Sequence, residues 1–231
     1  DLSLSEEAPT SIRINPEKSI PVEGEQIPWC ALGRYLETRP SFTLDPFFHG
    51  GAYYVQEASS MFLEQVLKSV VDTSQPLRVL DACAAPGGKY THLLSLISDD
   101  SLLVTNEVIR NRASILSENI QKWGKPNVAV TNNDPSDFST LSGFFDMIVV
   151  DAPCSGEGLF RTDPAAAEEW SEKNVELCAL RQRRIVADLW PALKENGILI
   201  YSTCTYNAHE NEENLEWISK TWSAVSEKIL F

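Results

Sequence analysis

From residue 76 onward the chain alternates between two patterns. Short apolar runs recur at "LRVLDAC" (77–83), "SLLVTNEV" (101–108), "NVAVTNND" (127–134), "FFDMIVVDA" (144–152) and "GILIYSTC" (197–204), each the length of a buried strand. Amphipathic stretches lie between them. "GGKYTHLLSLI" opens a helix, and Ile109, Ala113, Leu116, Ile120 and Trp123 mark one face of another, ended by Gly124 and Pro126. The spacing predicts a third helix over 174–195, kinked at Pro191 and closed by Gly197, and a last one in "HENEENLEWISKTW" (209–222). Strands alternating with helices predict an α/β fold, a doubly wound and mostly parallel sheet.

Residues 1–60 follow no such period. Pro9, Pro16, Pro21, Pro28, Pro40 and Pro46 interrupt them, yet Trp29, Tyr35, Phe42, Phe47, Phe48, Tyr53 and Tyr54 give them enough aromatic surface to pack. The expectation is a small N-terminal α+β segment over 1–55, the remnant of a domain with a connecting stretch. A helix is expected from Gln56 to Val70, with Ala58, Met61, Phe62 and Val66 on one face.

In sheets of this kind ligands sit beyond the carboxyl ends of the strands. Those ends read Asp81-Ala82-Cys83, Asn106-Glu107, Asn133-Asp134, Asp151-Ala152-Pro153-Cys154 and Ser202-Thr203-Cys204. An acid or a thiol closes every strand, which points to a site. After the first strand, Cys83, Ala84, Ala85, Pro86, Gly87, Gly88 and Lys89 turn into a helix, a cradle of backbone N–H groups suited to an anion. It lacks the Gly and the Ser or Thr of a phosphate loop and is not a G-x-G-x-x-G turn. Glu107 is placed to hold the two hydroxyls of a ribose. Asp134 is placed to accept from an adenine amino group. A nucleoside with a carboxylate and no phosphate is S-adenosyl-L-methionine.

Composition narrows the context. Of 231 residues, 43% are hydrophobic and 23% charged, the range of an ordinary globular protein. The five cysteines are widely spaced with no Cys-x-x-Cys pair, which argues against a disulfide framework and a zinc site. Cys30 and Cys178 read as packing residues, and His49, His92 and His209 take no catalytic role. No apolar run reaches the roughly 20 residues that span a bilayer, and "DLSLSEEAPT" is no leader. The expectation is a soluble, cytoplasmic monomer with no membrane partner and no metal. The net charge of −14 runs against nucleic-acid binding, which draws on clustered Lys and Arg. The basic candidates are Arg34, Arg39, Lys89, Arg161, Arg181, Arg183 and Arg184.

The segments "DACAAPGGK", "DAPCSGEG" and "YSTCTYNAHENE" resemble the motifs of the Sun-type RNA cytosine-C5 methyltransferases. "RPSFTLDPFFHGGAYYVQEASSMF" further resembles the RsmF-like branch of that family, which acts on 16S ribosomal RNA. The resemblance covers about residues 27–218. It implies a Rossmann-like methyltransferase fold, with Cys83 to Lys89, Glu107, Asp134 and Asp151 against the methyl donor. It implies that Cys204 is the nucleophile, that Cys154 serves product release and that RNA is the partner. The resembled fold continues past its last helix with a strand hairpin and an RNA-binding domain. This sequence ends at "SEKILF", so residues 56–231 are expected to be a C-terminally truncated methyltransferase domain lacking its last strands.

The chemistry accounts for two thiols. Carbon 5 of cytosine is a weak nucleophile until a thiolate adds to carbon 6, and the adduct must later be expelled with help near carbon 5. Asp151 is placed to hydrogen-bond ring N3 or the exocyclic amine. Alternatives remain: a DNA enzyme using Pro153-Cys154, a small-molecule methyltransferase, a transfer-RNA methyltransferase, or a non-catalytic ribosome-assembly factor.

Overall fold

Apolar residues on both sides of a strand demand cover on both faces. Val79 and Leu80, Met147 and Ile148, and Val149 and Val150 are all buried and, one residue apart, point to opposite faces. One face meets Leu67, Tyr90, Leu93, Leu116 and Trp123. The other meets Phe138, Ile185 and Leu189. A computed structural model of the chain, describing residues 8–18 and 20–229, shows the resulting architecture.

A four-stranded antiparallel sheet comes first, built from β1 (Ser11–Ile14), β2 (Glu25–Gln26), β3 (Gly33–Tyr35) and, after the short helix α1 (Pro46–His49), β4 (Tyr53–Val55), in the order β2-β3-β1-β4. Helix α2 (Leu63–Val70) leads into β5 (Arg78–Asp81), α3 (Gly88–Leu96), β6 (Leu102–Asn106), α4 (Arg110–Trp123), β7 (Val128–Thr131) and β8 (Phe145–Asp151). Then come α5 (Pro164–Glu169), α6 (Glu172–Leu189), β9 (Leu193–Ser202) and α7 (Glu212–Trp222). The second sheet runs β7-β6-β5-β8-β9 with every pair parallel. The strand order reverses between β5 and β8, the place where such sheets open a crevice for ligands.

Two expected helices are corrected. The one expected over 174–195 spans 172–189; Pro191 lacks an N–H to continue it, and a single 3-10 turn, Trp190–Ala192, leads into β9. Residues 193–195 and Gly197 therefore belong to the strand. Asn196 has φ 59°, and the register with β8 shifts there, marking a bulge. The helix expected from Gln56 begins as a 3-10 turn at Ser59 and becomes α-helical at Leu63. Gln56 is held elsewhere: its N–H donates to the Ser11 carbonyl and its carbonyl accepts from Ser11 Oγ.

The small sheet is fastened to the large one by a buried cation. Arg13 on β1 is fully buried, and its guanidinium donates to Gln56 Oε1 (2.9 Å), Thr91 Oγ1 (2.5 Å), Ser95 Oγ (3.2 Å) and the Gly88 carbonyl (3.3 Å). It also lies 4.7 Å over the ring of Trp123. Three of these acceptors are on α3, the helix that follows the glycine turn.

Candidate active site

The two thiol-bearing loops leave neighbouring strands. Asp151 at the end of β8 pairs with Ser202 at the end of β9. Cys154 and Cys204 follow within a few residues of those ends, and their sulfurs stand 3.0 Å apart although separated by 50 residues in sequence. Both are free thiols; Cys204 is exposed and Cys154 half-buried. A hydrogen bond from Cys154 is the main cause that holds the Cys204 thiol below its ordinary range, at about 7. Burial and Asp151 oppose this, and Lys89 reinforces it. Cys154, as the donor, is pushed strongly the other way.

Lys89, one residue into α3, donates to Asp151 Oδ2 at 2.7 Å, and Ser202 Oγ donates to Asp151 Oδ1 at 2.9 Å. One ion pair therefore joins the turn after β5 to the thiol loops. In that turn Gly87 has φ 132°, and a Cβ there would lie 2.5 Å from the Tyr90 ring. Ala84 donates its N–H to the Asn106 carbonyl, Arg112 donates to the Ala85 carbonyl at 2.7 Å, and Asn119 donates to the Pro86 carbonyl. The Cys83 thiol is pushed up to about 12, chiefly by burial.

Glu107, at the end of β6, is almost wholly buried. It accepts from the Ile109 N–H at 2.9 Å and faces Arg112 Nη1 at 3.3 Å. Asp134, three residues beyond β7, is held by other partners. Its Oδ1 caps Ser136 N at 3.1 Å, and Arg184 Nη2 reaches both its oxygens at 2.8 and 2.9 Å. An adenine amino group would have to share this carboxylate with Arg184.

Several residues of the site carry no assigned role in the sequence, although Asp81 stands among the strand ends and Glu157 and Glu210 lie within the thiol motifs. Asp81 ends β5 with no exposure, and neither of its carboxylate oxygens has a hydrogen-bond partner among the described residues. Burial, then Asp151, pushes it up to about 7 against the opposing pull of Lys89. An acid inside the apolar run "RVLDAC" was the available clue. Glu157 and Glu210, one beyond each thiol, are buried as well. Cys30, Glu64 and His92 form a further cluster, with Cys30 Sγ 3.7 Å and Glu64 Oε2 3.3 Å from His92 Nε2. Burial would raise Glu64, but His92, Lys68 and Cys30 donate to it and hold it at about 2. Burial also pushes the Cys30 thiol up to about 12 and His92 down to about 4. Protonated Cys30 and neutral His92 hydrogen-bonded to a Glu64 paired with Lys68 make this a polar packing cluster beneath α3. Nothing in the local sequence pairs residues from three separate elements.

Among the described residues no helix is long and apolar enough to cross a membrane. The basic candidates are largely engaged within the chain. Lys89 is on Asp151, Arg184 is on Asp134 and Asp188, Arg183 is on Asn214, and Arg34 folds onto the Ala31 and Gly33 carbonyls.

Comparison with known proteins places these features in a family. Residues 68–228 match the family described as 16S rRNA methyltransferase RsmB/F, and residues 2–58 match the N-terminal domain of 16S rRNA methyltransferase RsmF. Ribosomal RNA small subunit methyltransferase F of Pectobacterium atrosepticum is 39% identical over 201 residues, 84% of this chain and 41% of the relative. The chain thus spans about two fifths of the length of the curated relatives it matches. Among solved structures, a methyltransferase homolog protein from Pyrococcus horikoshii superposes with a TM-score of 0.79 at 29% identity, covering 95% of this chain and 72% of that one. NSun6 from Pyrococcus horikoshii, solved with the S-adenosylmethionine analogue SFG, gives 0.70 at 31%, covering 79% and 46%. With its parallel sheet, its glycine turn and its paired thiols, the chain belongs to the 16S rRNA methyltransferase RsmB/F family.

Proposed function

We propose that the chain transfers a methyl group from S-adenosyl-L-methionine to carbon 5 of a cytosine in small-subunit ribosomal RNA in the cytoplasm, through a covalent adduct of Cys204. The observation that carries this reading is the 3.0 Å contact of Cys154 and Cys204 above the Lys89–Asp151 ion pair. The names of the curated relatives support the RNA class.

The residues at the sheet edge fit the donor. A cation bearing an ammonium and a sulfonium suits the unpartnered carboxylate of Asp81, and a carboxylate suits the N–H cradle of Cys83 to Gly88 ahead of α3. Glu107 would take the ribose hydroxyls, and Asp134 the adenine amino group once Arg184 yields. The donor supplies an electrophilic methyl group on sulfur.

The chain's own groups do the rest. Cys204, held near neutrality by Cys154 and Lys89, reaches its thiolate form at physiological pH and adds to carbon 6. The electron pair released toward carbon 5 would form the bond to the methyl group as the methyl–sulfonium bond breaks, its electron pair staying on the donor's sulfur as a neutral thioether. Asp151 holds N3 or the exocyclic amine and favours the protonated adduct. A base then removes the proton from carbon 5, the ring double bond re-forms and Cys204 leaves as a thiolate. Cys154, beside the same carbon–sulfur bond, assists that release. Tyr206 is 67% exposed two residues beyond Cys204, which offers an aromatic face for an unstacked base.

The test is methyl transfer from labelled donor to unmodified 16S RNA, assembled small subunits, transfer RNA and 23S RNA, with bisulfite mapping of the product. Incorporation at one cytosine of the small-subunit RNA supports the reading. Transfer to transfer RNA alone would replace the substrate, and no transfer to any of them would remove the function.

A further inference from the structure

The two thiol loops are tied to each other by a reciprocal pair of buried carboxylates. Glu210 lies beyond Cys204 and accepts from the N–H of Ser155, the residue directly after Cys154, at 2.9 and 3.1 Å. Glu157 lies beyond Cys154 and accepts from the N–H of Tyr206, two residues after Cys204, at 2.8 Å. Each loop therefore contributes a carboxylate and receives the other's. Asn207 Nδ2 bridges the two, 3.1 Å from Glu157 Oε1 and 3.1 Å from Glu210 Oε1. The Gly158 N–H donates to the Cys204 carbonyl at 2.7 Å, an approach so close that a Cβ on Gly158 would lie 2.6 Å from that oxygen.

Buried carboxylates are costly unless every oxygen is satisfied, and apolar side chains pack two loops together at less cost. What directed bonds add is a fixed separation. These bonds bracket the two sulfurs: Ser155 N on one side, and Tyr206 N and the Cys204 carbonyl on the other.

We propose that Glu157 and Glu210 are positioning residues, a clasp that locks the Cys154 and Cys204 loops together and so fixes the sulfur–sulfur contact that activates the attacking thiol. The proposal rests on the reading of Cys204 as the nucleophile. The geometry of the clasp is independent of it.

The experiment is the pH dependence of Cys204 alkylation by iodoacetamide in the folded chain, followed peptide by peptide by mass spectrometry. The wild-type midpoint is expected below that of a free cysteine, at about 7. Glu210→Gln keeps the size of the side chain but turns an amide toward Ser155 N. If the clasp holds the thiols together, the midpoint rises by about one pH unit toward that of a free cysteine, roughly 8.5. Direct electrostatics predicts the opposite sign, because removing a nearby negative charge favours the thiolate. A fall or no change in a variant that melts cooperatively overturns the proposal. Cys154→Ala removes the contact itself, so Glu210→Gln added to it should shift the midpoint no further; an additive shift also overturns the proposal. Glu157→Gln carries the same prediction should Glu210→Gln not fold, and failure of both to fold would make these carboxylates general supports rather than a clasp. Methyl transfer and adduct formation, measured separately, report on the nucleophile and leave the clasp to the titration.

Discussion

Lys89 Nζ stands 2.7 Å from Asp151 Oδ2, and this single ion pair couples the turn after β5 to the loop that carries Cys154. Lys89 favours the Cys204 thiolate and Asp151 opposes it. Substituting each should therefore move the titration of Cys204 in opposite directions. Lys89→Met raises the alkylation midpoint and Asp151→Asn lowers it, although both variants lose methyl transfer. Shifts of the same sign would contradict the arrangement.

Asp81 gives a pH dependence of stability. Its folded carboxyl is pushed up to about 7 by burial and by Asp151, against about 3.9 for an unfolded aspartate. The folded state binds this proton more tightly, so the contribution of Asp81 is fully present below about pH 4 and lost as pH rises through 7. In the absence of donor, Asp81→Asn should match wild type at pH 4 and exceed it at pH 8 by up to about 4 kcal/mol, at 1.36 kcal/mol per pKa unit. Thermal or urea unfolding of the pair across pH checks this. A constant difference at all pH values would contradict it.

Arg13 holds the N-terminal sheet to α3. Arg13→Met keeps much of the stem but abandons Gln56 Oε1, Thr91 Oγ1 and Ser95 Oγ in a buried setting. Leaving a buried neutral acceptor without its donor costs about 1–3 kcal/mol. The urea midpoint should fall accordingly, and an unchanged midpoint would show that the sheet docks by its apolar contacts alone.

These residues also mark what the sequence could reveal. The five strands and their chemical ends were legible because burial on both faces writes itself as apolar runs of strand length. Helix α4 was legible because its apolar spacing and Gly124, at φ 91°, are local signals. The end of α6 was not, because a proline within a helical pattern kinks a helix or ends it, and the local sequence around Pro191 does not separate the two. Arg13 and Thr91 are 78 residues apart, and Ser155 and Glu210 are 55 apart. No periodicity joins such positions. Sequence spacing placed Asp134 at a strand end but could not show Arg184 lying across it from α6.

The most direct measurement is a denaturing gel of enzyme, S-adenosyl-L-methionine and labelled small-subunit RNA, run for Cys154→Ala and Cys204→Ala. If Cys204 attacks carbon 6 and Cys154 assists its release, Cys154→Ala leaves a shifted band of protein bound to methylated RNA and Cys204→Ala leaves none. A shifted band from Cys204→Ala and none from Cys154→Ala would exchange the two roles, and intact methylation without an adduct in both would contradict covalent catalysis by this pair.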